Sequence, residues 1–450
     1  MNTMDIIARK TLDYREKRNA LAWEAEMHPP YIRISTKSTN YIKQKILCDI
    51  YEGNAPYRPR YILPDYEKYL SNGSSYLNIL PPKDLFQAIN ALMILYQYVP
   101  LITRYPIFLG NLDTLLEPFM ETVDPDTCEK LFRMFLIFID RSFPDAFVHA
   151  NIGPKDTKSG RLILRLEKEF INTIPNLSLK IDDATPISLI DLAIETSLEA
   201  SKPYFVNHPL ISLDLGENYG VSSCYNTLKI GGGSFTLVRL NLKNIAAEAI
   251  NSEDFFSNKL PDAIDSLCEV INARAKFIVE DSHFFESCFL SREGLVDINQ
   301  FTSMAGIFGL FDAVEYLTMG LKMGHSDVAD EMAHQIMGKV RELLKSYDGA
   351  YCQGLGGKIA LHAQTGIESD LGICAGVRFR SGSEPELSKQ ILIQAGLHKY
   401  FDAGVSDIYV FDNTAKENIP GIRKIILGAL KSKMKMMTFH TQDSGTVSLI

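Results

Sequence analysis

The sequence predicts an α/β protein with a mainly helical N-terminal region over residues 1–145 and an α/β region over residues 146–450. Before residue 146, apolar residues recur at intervals close to the helical repeat. After it, short apolar runs alternate with helical patterns, which is typical of a parallel or mixed sheet covered by helices. The 450 residues, 46% of them apolar and 22% charged, are sufficient for a sizeable core.

Two helices are predicted in the N-terminal region. Apolar residues follow the helical period over residues 84–98 and again over residues 128–140, where Pro125 and Asp126 precede the pattern. Upstream of both, residues 53–66 contain three prolines, which are too many for a helix. This stretch is predicted to be an ordered connector.

Three elements are predicted in the α/β region. Residues 408–411 form an apolar run between two aspartates, as expected for a strand buried on both faces. Asn418 and Pro420 favour the first turn of a following helix. Another helix is predicted over residues 305–321, with its apolar stripe toward the core.

Composition and charge exclude several classes of protein. The formal net charge of −9 disfavours a nucleic-acid polymer as partner. Asn90 and Gln97 interrupt the apolar stretch 88–102, so no membrane span is predicted, and residues 1–10 lack the apolar core of a signal peptide. The seven cysteines are dispersed and form no Cys-x-x-Cys pair, which indicates reduced thiols, a cytoplasmic location and no metal site.

The segment 219–244 carries the strongest signal for chemistry. Gly231, Gly232 and Gly233 allow backbone conformations closed to other residues and a close approach of other groups. The strand pattern that follows slips by one residue at Val238, which predicts a bulge or a barrel corner. A P-loop is disfavoured because a strand without the required lysine follows the glycines, whereas a looser anion-binding nest stays open.

Cys224 lies seven residues before the first of these glycines, in a polar and turn-prone stretch. By residue type alone, a free cysteine is more often a small buried apolar residue than a nucleophile. A nucleophilic role would require a histidine base, and His149 and His208 are equally compatible with structural roles.

The stretch 222–246, SSCYNTLKIGGGSFTLVRLNLKNIA, resembles the cysteine-loop region of glycyl radical enzymes, and specifically that of the YjjI-type family. Further matching segments extend this resemblance over almost the whole chain. They are residues 53–66, 145–154, 280–286, 306–317, 361–372 and 403–412. The chain is more remotely similar to anaerobic ribonucleotide reductase and pyruvate formate-lyase.

The resemblance implies a ten-stranded barrel of two half-barrels surrounded by helices, with the catalytic cysteine on an internal loop. The thiyl position of the family corresponds to Cys224. In that chemistry a delocalised backbone glycyl radical takes the hydrogen atom of the thiol, and the thiyl radical abstracts hydrogen from the substrate. A radical S-adenosylmethionine activating enzyme would install the glycyl radical, and this chain itself would bind no other cofactor. A small-molecule substrate and a homodimer are further implications.

The resemblance also implies a C-terminal V-x-G-Y-type radical motif, which these 450 residues do not contain. The strand approaching the radical loop corresponds to residues 436–445, and Gly445 is interpreted as a turn glycine. A truncated gene, a frameshifted gene or a separate glycyl radical subunit acting in trans would each account for this. The chain alone is therefore expected to be inactive.

Three alternatives stay open beside the radical enzyme. The first is a non-catalytic binding or assembly partner. The second is a ribonucleotide-reductase-like nucleotide enzyme, which is disfavoured because the last cysteine, Cys374, leaves no four-cysteine zinc site near the C-terminus. The third is an ordinary thiol or phosphate-binding enzyme that works in air.

Residues in the matching segments are candidates for holding a small polar substrate. They are Tyr225, Asn226, Gly232, Gly233, Ser234, Asn151, His283, Glu286, His362 and Gln364. The last five could equally satisfy buried backbone groups, so both roles stay open.

Overall fold

The computed structural model describes residues 3–26, 32–48, 57–103, 106–143, 147–222, 225–363, 370–405 and 407–441. Its strands are β1 Leu47–Cys48, β2 Tyr61–Leu63, β3 Ile107–Asn111, β4 Val148–Ile152, β5 Asn176–Ile181, β6 Tyr204–Asn207, β7 Tyr219–Val221, β8 Thr227–Lys229, β9 Gly232–Asn241, β10 Phe301–Phe308, β11 Ala360–Ala363, β12 Asp407–Phe411 and β13 Met436–Thr441.

The α-helices surround these strands. They are α1 Thr3–Ala8, α2 Tyr14–Glu26, α3 Thr36–Lys43, α4 Tyr66–Asn72, α5 Leu85–Thr103, α6 Leu112–Leu116, α7 Pro125–Ser142, α8 Lys158–Phe170, α9 Ile187–Ala200, α10 His208–Leu215, α11 Leu242–Glu248, α12 Ser252–Asp254, α13 Leu260–Lys276, α14 Phe284–Ser287, α15 Phe289–Arg292, α16 Leu310–Leu317, α17 Asp327–Ser346, α18 Leu387–His398 and α19 Ile419–Lys431.

Two mixed sheets and one hairpin organise the fold. The six-stranded sheet has the order β12-β13-β6-β5-β4-β3, in which β3 to β6 are parallel and β13 is antiparallel to β6. In the five-stranded sheet β9, β10 and β11 are parallel, and β1 and β2 pair antiparallel with β9. Strands β7 and β8 form a separate antiparallel hairpin. The α/β class is confirmed, while the ten-strand count and the closure of a barrel stay predictions.

Three clusters of buried apolar side chains form the core. The largest packs helices α5, α7, α8 and α9 against the six-stranded sheet, and the second packs α13, α16 and α17 against β9 and β10. The third is small and joins β6 and β13 to the hairpin through Val206, Met436, Tyr219 and Val221. The hairpin therefore shares its own apolar cluster with the six-stranded sheet.

The N-terminal region is mainly helical, as predicted, but it also supplies three strands. Strand β3 pairs with β4, and β1 and β2 pair with β9, so sheet pairing crosses residue 145. The predicted helices are present as α5 and α7, and the Asp124 carboxylate caps α7 by accepting from the Thr127 N–H. The division of the chain at residue 145 stays a prediction.

Among the described residues, helix α5 has one window, residues 85–102, that is long and apolar enough for a membrane span. Leu85, Ile89 and Leu92 in this window are fully buried in the largest core cluster. Length and composition alone do not separate a span from a core helix, and the packing of these side chains is that of a core helix.

Two predicted elements were partly wrong. Residues 301–308 form strand β10, and only Leu310–Leu317 are helical, because Gly309 at φ +77° separates the two elements. Every residue of β10 is buried, so the apolar pattern could not distinguish a strand from a helix. Strand β12 is present, but it lies at the edge of its sheet and Val410 is 55% exposed, so it is not buried on both faces.

Two finer predictions were confirmed. The Asn418 side chain accepts from the Gly421 N–H and caps α19. Strand β9 carries an extra residue between Ser234 and Leu237, where β10 advances only from Thr302 to Met304. This bulge accounts for the phase slip in the sequence pattern.

Candidate functional site

The β7–β8 hairpin is the centre of the candidate site. Tyr219 pairs with Lys229 and Val221 with Thr227, and the Ser222 N–H donates to the Asn226 carbonyl at 2.8 Å. Cys224, the predicted thiyl residue, lies outside the described residues, as does its neighbour Ser223. Ser222 and Tyr225 are the described residues on either side of Ser223 and Cys224 in the chain. Their surroundings are therefore the structural evidence that bears on the role of Cys224.

Asn151 fastens the hairpin to the six-stranded sheet. Its Nδ2 donates to the Val221 carbonyl at 2.9 Å, and its Oδ1 accepts from the Val221 N–H at 2.8 Å. The residue lies in β4 and is fully buried. Both polar atoms of this predicted substrate residue are therefore used by the hairpin backbone, which corresponds to the structural alternative left open by the sequence.

Lys180 holds the same hairpin at Tyr219, two residues before Val221. Its Nζ donates to the Asn111 Oδ1 at 2.9 Å and to the Tyr219 carbonyl at 2.8 Å, and it lies 4.2 Å from the centre of the Tyr219 ring. Burial lowers the pKa of Lys180 to about 8, and burial raises the pKa of nearby Asp113 to about 6. The sequence analysis did not select Lys180, although a lysine inside the apolar strand pattern LSLKI was a usable signal.

On the other side of the hairpin, residues 402–405 connect it to β11. The Thr227 N–H donates to the Ala403 carbonyl at 3.0 Å, and the Ala363 N–H donates to the Gly404 carbonyl at 3.1 Å. Gly404 has φ +108°, and a Cβ on it would lie 1.9 Å from the Tyr225 carbonyl oxygen. Only glycine allows this approach, so the backbone beside Tyr225 is fixed without a side chain at position 404.

His362, a predicted site residue, is buried in β11 beside this segment. Its Nδ1 lies 2.8 Å from the Gly404 carbonyl oxygen and 3.2 Å from that of Ala403, so Nδ1 carries the hydrogen. Its Nε2 has no hydrogen-bond partner among the described residues. Burial, with a smaller contribution from Arg60 and Arg378, lowers the pKa of His362 to about 4, which keeps the ring neutral.

Tyr225 and Asn226, both predicted site residues, are buried next to the cysteine. Tyr225 has φ +64°, its ring centre lies 4.9 Å from that of Tyr204, and the Arg378 guanidinium lies 5.8 Å from the same ring centre. Asn226 is fully buried. The structure therefore brings Tyr225, Asn226, Asn151 and His362 together around the hairpin.

The predicted glycine and serine positions have packing roles. A Cβ on Gly232 would lie 2.3 Å from the Gln300 carbonyl oxygen, and one on Gly233 would lie 2.0 Å from that of Tyr61. Ser234 donates its hydroxyl to the Thr236 carbonyl at 2.9 Å. These residues allow the neighbouring backbones to approach β9, and nothing in their contacts favours the anion-binding nest.

Two predicted residues are not brought to the hairpin, and a third lies outside the described residues. His283 and Glu286 are paired at 3.6 Å with side chains 68% and 72% exposed. Gln364 lies outside the described residues. We do not include His283 and Glu286 in the candidate site.

Three further polar side chains lie near the hairpin and were not among the predicted site residues. Within the described part of the chain, the buried atoms His149 Nδ1, Ser178 Oγ and Ser222 Oγ have no hydrogen-bond partner. Burial, with a smaller contribution from Lys202, lowers the pKa of His149 to about 3. His149 and Ser178 lie in stretches with the pattern of ordinary buried strands, and Ser222 lies in the polar stretch around Cys224, so no local signal distinguished the three.

Within the described part of the chain, no group of three or more His, Cys, Asp or Glu side chains is placed to hold a metal ion. The six described cysteines are free thiols. A surface cleft of about 330 Å³ is lined by Arg58, Tyr76, Phe289 and Arg292 among others. None of its lining residues lies on the hairpin or on the strand faces beside it, so we do not place the substrate there.

Comparison with known proteins defines the class. The family "Glycyl radical enzyme YjjI-like" matches residues 12–449. The chain is 37% identical to the protein YjjI of Escherichia coli K12 over 98% of its own length and 86% of that protein. It is 38% identical to an uncharacterized protein of Haemophilus influenzae, covering 99% of its own length and 88% of that relative. The chain therefore belongs to the YjjI-like family of glycyl radical enzymes.

Solved structures show the same fold at low sequence identity. The anaerobic ribonucleotide reductase of Thermotoga maritima matches with a TM-score of 0.73 and 11% identity, covering 97% of this chain and 94% of that one. A Roseburia inulinivorans protein described for 1,2-propanediol dehydration gives a TM-score of 0.76 and 12% identity over 98% and 83% of the two chains. Hydroxyproline dehydratase of Clostridioides difficile gives 0.74 and 13% over 98% and 82%.

Proposed function

We propose that the protein is a glycyl radical enzyme in which Cys224 carries hydrogen atoms between a backbone glycine and a small-molecule substrate. The observation that carries this proposal is the fixation of the hairpin next to Cys224. Asn151 and Lys180 hold it from the six-stranded sheet, and the backbone at Gly404 closes on Tyr225 from the opposite side. A residue that must exchange one hydrogen atom with two partners requires such a defined position.

The atom balance of the proposed step is simple. The glycyl radical of the family supplies the unpaired electron. Cys224 loses the hydrogen atom of its S–H bond to the glycine Cα, which leaves a thiyl radical. Cys224 then takes a hydrogen atom from a substrate C–H bond, which restores the thiol and leaves the substrate with the unpaired electron.

The proposal includes partners that the family implies. A radical S-adenosylmethionine activating enzyme would generate the glycyl radical, and a separate glycyl radical subunit could supply it in trans. We further propose a cytoplasmic, anaerobic protein that forms a homodimer.

Electron paramagnetic resonance after anaerobic activation tests the proposal without knowledge of the substrate. The full-length gene product, alone or with a separate glycyl radical subunit, should give a doublet from coupling to the glycine α-hydrogen. In D2O the thiol exchanges its hydrogen, so transfer through Cys224 should replace the α-hydrogen by deuterium and collapse the doublet.

The variant Cys224→Ser should retain the doublet in D2O because a hydroxyl does not return the hydrogen atom. Cys48→Ser, a change at a half-buried cysteine, is the matched control, and its doublet should collapse in D2O as that of the wild type does. A silent spectrum despite a competent activating enzyme, or collapse in Cys224→Ser, would contradict the proposal. Turnover in air without activation would favour an ordinary thiol enzyme.

A further inference from the structure

Three buried polar side chains beside the hairpin have unused hydrogen-bonding capacity. They are His149, Ser178 and Ser222, which are 2%, 0% and 1% exposed. Among the residues that the structure describes, the His149 Nδ1 and the two hydroxyl oxygens have no hydrogen-bond partner, although buried polar groups are nearly always hydrogen-bonded. Their unpaired state costs free energy, and a ligand that pairs with them would recover it.

The strand register places His149 and Ser178 on one side of the six-stranded sheet, and Ser222 lies at the end of the hairpin strand that Asn151 holds on that side. His149 is two residues before Asn151 in β4, so both side chains point to the face that contacts the hairpin. Ser178 lies opposite Asn151 on the neighbouring strand β5. Ser222 directly follows Val221, whose backbone Asn151 holds.

Two tyrosine rings connect this group to the residue next to Cys224. Tyr204 lies opposite Ser178 on β6, and its ring centre lies 6.2 Å from that of His149. The Tyr225 ring centre is 4.9 Å from that of Tyr204. The unpaired polar atoms therefore lie beside the ring pair of Tyr204 and Tyr225, and Tyr225 directly follows Cys224 in the sequence.

The ionic groups on this face are already engaged. Lys180 is bonded to Asn111 and to the Tyr219 carbonyl. Lys202 pairs with Glu167 at 2.7 Å and donates to the Pro175 carbonyl at 2.9 Å. A neutral imidazole and two hydroxyls remain, and neither lysine is available as a counter-ion for a buried carboxylate beside them. The Arg378 guanidinium, 5.8 Å from the Tyr225 ring centre, is the cation whose effect carboxylate probes must test.

We infer that the substrate is a small uncharged molecule with hydroxyl groups, bound through His149, Ser178 and Ser222 beside the cysteine loop. A hydroxyl both donates and accepts, so one such group satisfies a serine and another satisfies an imidazole nitrogen. This inference rests on the proposed function for the presence of a substrate at the hairpin. Binding itself requires no radical.

Saturation-transfer NMR on the full chain tests the inference with two matched pairs of probes. Ethane-1,2-diol and glycerol are the uncharged members, and glycolate and glycerate are the corresponding carboxylates. The uncharged member of each pair should bind more tightly. Ser178→Ala and Ser222→Ala should each weaken the binding of glycerol about 5- to 10-fold, and His149→Ala by a similar factor.

Ser197→Ala is the matched control because the Ser197 hydroxyl is buried but donates to the Pro203 carbonyl at 2.8 Å. It should leave the affinity for glycerol unchanged and lower the thermal midpoint. Ser178→Ala should leave the midpoint of the ligand-free protein unchanged or raise it, because it removes an unpaired hydroxyl. Replacing a serine with a purely structural role would instead lower the thermal midpoint and leave the affinity for glycerol unchanged.

Tighter binding of the carboxylates, no binding of either uncharged probe, or unchanged glycerol affinity in Ser178→Ala and Ser222→Ala would overturn the inference. Arg60 and Arg378 near His362 make anion binding the most informative negative result. Binding of the uncharged probes with no D2O effect at Cys224 would overturn the proposed function while supporting this inference. A D2O effect without binding of the uncharged probes would support the proposed function and overturn this inference.

Discussion

The six-stranded and the five-stranded sheets hold the same hairpin by different means. The six-stranded sheet uses side chains, an amide pair from Asn151 and an ammonium from Lys180. On the side of the five-stranded sheet, backbone reaches the hairpin through residues 402–405, and Gly404 allows contact only because it has no side chain. The side-chain contacts fix the position of the hairpin along the strands of the six-stranded sheet. The backbone contact at Gly404 fixes the distance between the hairpin and residues 402–405.

The five-stranded sheet also contributes one member of a buried charged pair. Arg239 in β9 is fully buried and bonds to Asp370 through two contacts of 2.5 and 3.1 Å, with its guanidinium 4.5 Å from the Phe308 ring centre. This bidentate pair anchors residue 370 to the centre of the sheet.

Breaking that pair should give the largest effect. Arg239→Met leaves the Asp370 carboxylate buried without this partner and should lower the free energy of unfolding by about 3 to 5 kcal/mol. Urea unfolding followed by circular dichroism measures the change. Arg133→Met removes a surface pair with Glu129 and Glu169 and should have a small effect. Equal losses in the two variants would contradict the importance of the buried pair.

The backbone contact at Gly404 is the next point of weakness. Gly404→Ala places a methyl group 1.9 Å from the Tyr225 carbonyl oxygen, so the hairpin or residues 402–405 must move. We expect a loss of about 3 kcal/mol in the free energy of unfolding and slower hydrogen transfer through Cys224. Gly428→Ala in α19 is the control, because nothing lies within 4 Å of its Cβ position. That change should stabilise slightly, and a loss of similar size there would remove the steric explanation.

Removing the two hydrogen bonds of the Asn151 amide tests how the six-stranded sheet holds the hairpin. Asn151→Ala leaves the buried N–H and carbonyl of Val221 without these partners and should cost about 2 kcal/mol. Amide hydrogen exchange should show loss of protection at Val221 while residues of β9 remain protected. Asn258→Ala, which removes an exposed bond to Asp254, should change neither quantity. Global loss of protection would mean that Asn151 supports the whole sheet and not the hairpin in particular.

The sequence predicted these regions unequally, for physical reasons. Helices α5 and α7 have one buried face each, so their periodicity is visible, whereas the fully buried β10 shows no period that distinguishes it from a helix. Asn151 and His362 were selected through the resemblance, but the partner of Asn151 is 70 residues away and no local pattern reveals it. Ser178 alternates with apolar residues as in an ordinary strand, so only the fold shows its surroundings. Lys180 in the same strand was a usable signal, but its bond to the Tyr219 carbonyl is visible only in the fold.

Two buried histidines, His149 in the six-stranded sheet and His362 in the five-stranded sheet, should give the smallest and most specific effect. The pKa is lowered to about 3 for His149 and to about 4 for His362, mainly by burial. Because these values lie below those of the unfolded chain, the unfolded state binds more protons, and stability falls as the pH falls from about 6.5 toward the folded values. Each ring should contribute about 1 kcal/mol of that loss between about pH 6 and pH 5.

Urea unfolding at about pH 6 and about pH 5 measures how the free energy of unfolding changes with pH. The variants are His362→Gln, His149→Asn and the double variant that combines them. Each single variant should remove about half of the histidine contribution, and the double variant should remove the sum. Bound glycerol should raise the free energy of unfolding of the wild type by the same amount at both pH values, because the folded His149 is already unprotonated throughout this range. The gain should be smaller in His149→Asn, and an equal gain in both proteins would separate His149 from the ligand site.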